Sequence, residues 1–122
     1  MTNLIAVFLG SGVGAVIRWI CQARLNPDRG WPVGTFVVNM VGALLAGVFL
    51  AMSSRLSDQT RLFIVTGVLG GLTTFSALSA EMLALSFDGF FIHAVAHGIG
   101  SLILGAAVCW LGYWVAMQIG IR

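Results

Sequence analysis

Charge is what this chain has least of. Six arginines, three aspartates and one glutamate are its only formally charged side chains among 122 residues, and lysine is absent. Soluble domains carry about a quarter charged residues, so a charged fraction of 8% leaves no stretch fit to be one. It also leaves no basic patch for nucleic acid. The two cysteines, Cys21 and Cys109, stand alone in apolar surroundings, which reads as unpaired structural thiols, and no ligand spacing suggests a metal cluster. No nucleophile lies in a pattern with a base, so the chain does not read as an enzyme. The glycine-rich run at Gly10, Gly12 and Gly14 is no dinucleotide fingerprint, because no strand precedes it and it lies inside an apolar block.

What remains is hydrophobic: 59% of the residues. They fall into four blocks, residues 4–23, 31–52, 62–85 and 90–119, joined by short polar connections. The first block makes about 30 Å of helix, the thickness of the hydrocarbon core. It is too long for a cleaved signal peptide and has no basic segment before it. The expected fold class is therefore an all-α integral membrane protein, one transmembrane domain over residues 1–122 with both termini on one side. Asn26-Pro27-Asp28 and Pro32 punctuate the first connection, Ser57 offers an N-cap to the third span, and Asp88-Gly89 predicts a tight turn. Trp31, Trp110, Tyr113 and Trp114 lie near span ends, as interfacial aromatics do.

The third span contains Gly70-Gly71-Leu72-Thr73-Thr74-Phe75-Ser76. Two glycines followed by two β-branched residues cost a helix interior about 3 kcal/mol relative to alanine, so a break is expected near residues 70–75. Irregular backbone at membrane depth survives only where it is buried in protein or lines a watery cavity, and there it marks an ion or substrate site.

The arginines give no orientation. Arg55, Arg61 and Arg122 fall on one face, with Arg24, Arg29 and, near the end of its span, Arg18 on the other. Without a bias, the chain is expected to insert both ways and pair as an antiparallel homodimer. Small residues four apart, Gly10/Gly14, Gly67/Gly71 and Ser101/Gly105, permit close helix approach within one subunit or between two.

Polar residues inside spans need a reason. Thr35 and Asn39 lie one turn apart on the second span; His93, His97 and Ser101 follow a four-residue period on the fourth; Thr74, Ser76, Ser79 and then Glu81 follow the break. Each stripe could simply hydrogen-bond helix to helix, yet three stripes on three spans suggest a shared polar path. Neutral donors with Arg18 at their approach favour an anion, unless Arg18 only snorkels to the interface.

Gly34-Thr-Phe-Val-Val-Asn39, Gly70-Gly-Leu-Thr-Thr-Phe-Ser76, Gly100-Ser-Leu102 and the pair Arg18-Trp19 resemble the motifs of the Fluc/CrcB fluoride channels, as do the length and the four-span layout. The resemblance implies a passive, fluoride-selective channel of the cell inner (plasma) membrane that lowers cytoplasmic fluoride. It implies a dual-topology dimer with two anion paths and one structural sodium ion at its centre, held by the backbone oxygens of Gly70 and Thr73. By the same resemblance Asn39, Thr35, Phe75, Ser76, His97, Ser101 and Arg18 belong to the anion pathway. One departure stands out: where the family places a second pore phenylalanine, this chain has Leu78, which has no electropositive ring edge to offer. Glu81 matches an acidic position whose role the sequence does not give. The alternative is a small multidrug-type proton-coupled exporter of organic cations, which needs a carboxylate deep in the first span; none is there.

Overall fold

The computed structural model describes residues 2–120, so Arg122 of the orientation count lies outside it. Four helices are long and apolar enough to cross a membrane: Thr2–Leu25, Val33–Ala51, Asp58–Phe87 and Phe91–Gln118. The first two are α1 (Thr2–Leu25) and α2 (Val33–Ala51). The third span is compound. Its first part, α3, begins with Asp58–Arg61, widens into a π-helix over Leu62–Leu69 and closes with Gly70–Leu72. Helix α4 (Phe75–Phe87) completes the span, and α5 (Phe91–Gln118) is the fourth.

The boundaries follow local chemistry. The Ser57 hydroxyl accepts the Thr60 N–H and starts α3 four residues ahead of the apolar block, as an N-cap does. Between α4 and α5 the chain reverses at Gly89, whose φ of +83° suits a residue without a Cβ. Thr73 (φ −78°, ψ 150°) and Thr74 (φ −149°, ψ 125°) are extended and separate α3 from α4. The Thr74 hydroxyl then accepts the Ala77 N–H and caps α4.

Helix α1 packs along α3, α2 packs along α5, and α4 leans on α5. Val38, Leu69 and Leu72 form a small buried cluster, with Cys21, Ala46 and Phe49 against it. Most other large apolar side chains, among them Phe8, Trp19, Ile92, Leu102 and Trp110, point outward. That exterior suits hydrocarbon, where outward apolar surface carries no penalty.

With so little core, backbone proximity does much of the packing. A Cβ at Gly10 would meet Phe63 O and Gly67 Cα, one at Gly14 would overlap Val68 O, and one at Gly71 would overlap Ser11 O. Two of the three small-residue pairs therefore mate with each other inside one chain, joining α1 to α3. The third does not: a Cβ at Gly105 would meet only Met40 Cε at an ordinary 3.5 Å. The α2–α5 contact instead uses Gly47 against Cys109 O and Gly112 against Leu44 O. Gly47→Val should therefore prevent folding, because the obstacle is a main-chain carbonyl, while Gly105→Ala should fold like the parent. The comparison is the monodisperse fraction of each variant on size exclusion in detergent; a normal yield of Gly47→Val would contradict the packing.

Candidate ion pathway

Two layers of polar side chains lie one helical turn apart in the space between α1, α2, α4 and α5. Four residues of helix rise about 6 Å, so Thr35 and Asn39 on α2, and His97 and Ser101 on α5, contribute one member each to both layers.

The layer nearer the α1–α2 connection is built around Glu81. Its Oε1 accepts from the Thr35 hydroxyl and, at 3.0 Å, from Asn26 Nδ2. Its Oε2 lies 3.2 Å from His97 Nε2. Thr35 and His97 are both fully buried. Gln22 Nε2 donates to Thr35 Oγ1 at 2.8 Å. Asn26 also holds the backbone, since its Oδ1 accepts the N–H of Gly34 at 2.6 Å and of Thr35 at 3.3 Å. It thereby supplies the N-terminus of α2 with the cap that Pro32 cannot provide. The Trp31 ring lies edge-on to His97, 5.1 Å between centroids. A small cavity lined by Asn26, Asp28, Arg29 and Asp88 opens beside Glu81 from the connections.

The second layer adjoins the two extended residues. The Asn39 amide grips the backbone of Thr74 from both sides: Oδ1 accepts the Thr74 N–H at 2.8 Å, and Nδ2 donates to the Thr74 carbonyl at 3.3 Å. An asparagine amide has two N–H donors, so one remains free. Asn39, Thr73, Phe75, Leu78 and Ser101 line a common open groove. Phe75 is 71% exposed and Leu78 only 4%. The phenylalanine ring thus projects from the chain, while the leucine at the departing position is core. Ser76 is exposed, and its hydroxyl lies 3.2 Å from Thr74 Oγ1.

The Asn39–Thr74 pairing has a consequence for the carbonyls before the break. In a continuous helix the Gly70 carbonyl would accept from Thr74 N–H and the Thr73 carbonyl from Ala77 N–H. Those donors go instead to Asn39 Oδ1 and Thr74 Oγ1. The main-chain oxygens of Gly70 and Thr73 are therefore deprived of their helical partners.

The other candidates divide. Among the described residues Arg18 forms no ion pair or hydrogen bond, and it lines neither of these two cavities. His93 is exposed and stacks edge-on against Phe90 rather than joining His97. In the sequence Asn26 reads only as turn punctuation and Gln22 has no role, although the four-residue period that exposed the α5 stripe also links Arg18 and Gln22 on α1 to Asn26 just past its end. Glu81 reads from sequence as lying near a helix end; it sits mid-way along α4, at the centre of the network. Two buried polar atoms have no partner among the described residues, His97 Nδ1 and Ser101 Oγ, and they lie one turn apart on α5.

The comparisons agree on one family. The family profile described as CrcB-like protein, Camphor Resistance (CrcB), matches residues 5–113. A fluoride-specific ion channel FluC of Serratia proteamaculans is 40% identical over 126 aligned positions, covering 97% of this chain and 99% of the relative. The protein of the same description from Phocaeicola vulgatus is 37% identical over 95% of this chain and 99% of its own. That of Escherichia coli K12 is 38% identical, over 92% and 91%.

The Glu81 layer makes its own stability prediction. Thr35→Val removes a buried donor from a carboxylate and should lower stability by about 1–3 kcal/mol, whereas Thr35→Ser keeps the hydroxyl and should stay near the parent. Thermal unfolding in detergent tests this; equal midpoints for valine and serine would show that the hydroxyl contributes nothing.

Proposed function

Because the chain belongs to the CrcB family, we propose that it is a fluoride-selective passive ion channel, a multi-pass protein of the plasma membrane that lets fluoride leave the cytoplasm. It is a channel and not an enzyme. Hydrogen fluoride crosses membranes uncharged and dissociates in the more alkaline cytoplasm; a pore then lets the membrane potential expel the trapped anion. The observation that carries the reading is the pair of stacked donor layers on neighbouring helices. Fluoride is small and strongly hydrated, so a path must replace its water with donors. The spare Asn39 N–H, the hydroxyls of Thr35, Ser76 and Ser101, the His97 imidazole and the edge of the Phe75 ring are the groups we assign to it. Arg18 is assigned to the approach, where a half-buried cation attracts anions without belonging to the layers.

The working unit is proposed to be an antiparallel, dual-topology homodimer, with Thr73 and Thr74 forming the break of the third span at mid-membrane. Two features of the single chain support this. Phe75, which lines the groove, projects outward and is left mostly uncovered by the described residues. Gly70 is exposed as well, and a Cβ there would come only within 4.0 Å of Val65 O, so no contact among the described residues requires that position to be glycine. A second copy would supply both constraints.

One structural sodium ion at the dimer centre completes the proposal, held by the main-chain oxygens of Gly70 and Thr73 from both copies. The donor set fits: sodium is a hard cation suited to carbonyl oxygens, and these are the two whose helical donors are diverted. Its role would be to satisfy oxygens that hydrocarbon cannot.

In proteoliposomes the parent should release fluoride and leave chloride and a cationic dye inside; dye release would favour the proton-coupled exporter instead. Asn39→Asp exchanges a donor for a repelling carboxylate of almost the same shape and should cut fluoride flux at least about tenfold. Parent-like flux from this variant would remove Asn39 from the path. Accessibility labelling of C-terminal tags in sealed membranes should find them on both sides, with one cross-linked species at the mass of a dimer. Tags on a single side would defeat the antiparallel arrangement.

A further inference from the structure

We propose that the Glu81–His97 pair makes conduction through this chain pH-dependent, the controlling proton being gained and lost at His97 Nδ1. This rests on the channel reading above and concerns the regulation of that same path.

The hydrogen-bond directions around Glu81 are wired from outside. Thr35 Oγ1 already accepts from Gln22 Nε2 at 2.8 Å and faces Asn26 Nδ2 at 3.4 Å. Its lone pairs are engaged, so its proton goes to Glu81 Oε1. Asn26 Nδ2 donates to the same oxygen at 3.0 Å, while Asn26 Oδ1 is held by two backbone N–H groups and cannot exchange places with it. With two donors on Oε1, any proton belonging to the Glu81–His97 contact lies between Oε2 and Nε2, 3.2 Å apart. Nδ1 is then the one vacant position of the pair. It is fully buried, has no partner among the described residues, and lies one turn from the equally unpartnered Ser101 hydroxyl.

The two protonation states differ in what an anion meets. With Nδ1 bare, an ionised Glu81 leaves the pair with a net charge of minus one beside the donor layers. With Nδ1 protonated, the imidazolium cancels the carboxylate, one turn from Ser101 on the same helix. Fluoride passage is favoured in the second state and opposed in the first.

Few other charges can take over this role. His93, on the same helix, is exposed and stacks on Phe90. From α4 the group facing His97 is Glu81 itself, and the connection adds Trp31; behind Glu81 stand Thr35 on α2, Gln22 on α1 and Asn26 just past its end, none of which titrates in this range. Asp28, Arg29 and Asp88 line the cavity beside Glu81 on the connection side.

The test is fluoride efflux from proteoliposomes at equal internal and external pH, from about 8.5 to about 5.5. Leak through protein-free vesicles is subtracted at each pH to remove hydrogen fluoride permeation. Parent flux should rise at least about tenfold as pH falls, the effect of cancelling a unit charge beside the path. His97→Gln retains a donor for Glu81 but cannot titrate and should give a flat profile. Glu81→Gln should lift the high-pH flux toward the acid limit. A flat or falling parent profile overturns the inference without recourse to any variant. So does a rising profile that persists in folded His97→Gln. Absence of fluoride flux at every pH would instead bring down the channel reading, and this inference with it.

Discussion

A main-chain N–H and C=O that leave a helix inside hydrocarbon must find partners within the protein, and everything near Thr74 depends on how that is done. Asn39 satisfies both groups with one side-chain amide. This allows the third span to turn aside without an orphaned pair, which would otherwise cost several kcal/mol. The same contact sets the position of α4 relative to α2 and brings Phe75 and Ser101 to one groove. It also diverts the donor that the Gly70 carbonyl would have had, while the Thr74 hydroxyl diverts the donor of the Thr73 carbonyl. A single asparagine thus shapes the groove and diverts the donor from one of the oxygens to which we assign a sodium ion.

A carboxylate among groups meant for an anion is at first sight a contradiction. The network around Glu81 resolves much of it. Thr35 and Asn26 donate to one of its oxygens and the His97 ring nitrogen meets the other, so the carboxyl group is engaged in hydrogen bonds rather than presented bare. Such bonds to a charged acceptor are about twice as strong as neutral ones, which orders α1, α2, α4 and α5 at one point. In the proposed pathway a passing ion competes with Glu81 for the Thr35 and His97 donors. The pH dependence proposed above follows from that competition, and His97, fully buried against Glu81, is the residue on which it turns.

Packing follows the economy expected in lipid, where apolar side chains gain nothing by leaving hydrocarbon for protein. Glycines bring α1 to α3 and α2 to α5 at backbone distance, and the large apolar residues are left outside. Among the open glycines and outward apolar side chains, the Gly70 edge and the Phe75 ring are the ones beside the break. They are the places where the proposed second copy would be felt.

The four apolar helices, the class of protein and the polar stripes were all legible along the chain, because hydrophobic length and a four-residue period are local properties that any helix in a membrane must obey. Gly70 through Ser76 announced an interruption for an equally local reason: glycines and β-branched residues weaken a helix wherever they stand. The partnerships, by contrast, came from the packing. That Asn39 serves Thr74, 35 residues away, or that Asn26 both caps α2 and holds Glu81, depends on which helix faces which, and spacing along one helix does not state that. Glu81 was unreadable for the same reason, since its partners come from three other elements. Arg18 and His93 fit the patterns as well as Thr35 and His97 did, yet the packing left them outside the layers, because helix rotation is set by neighbouring backbones and not by the stripe itself.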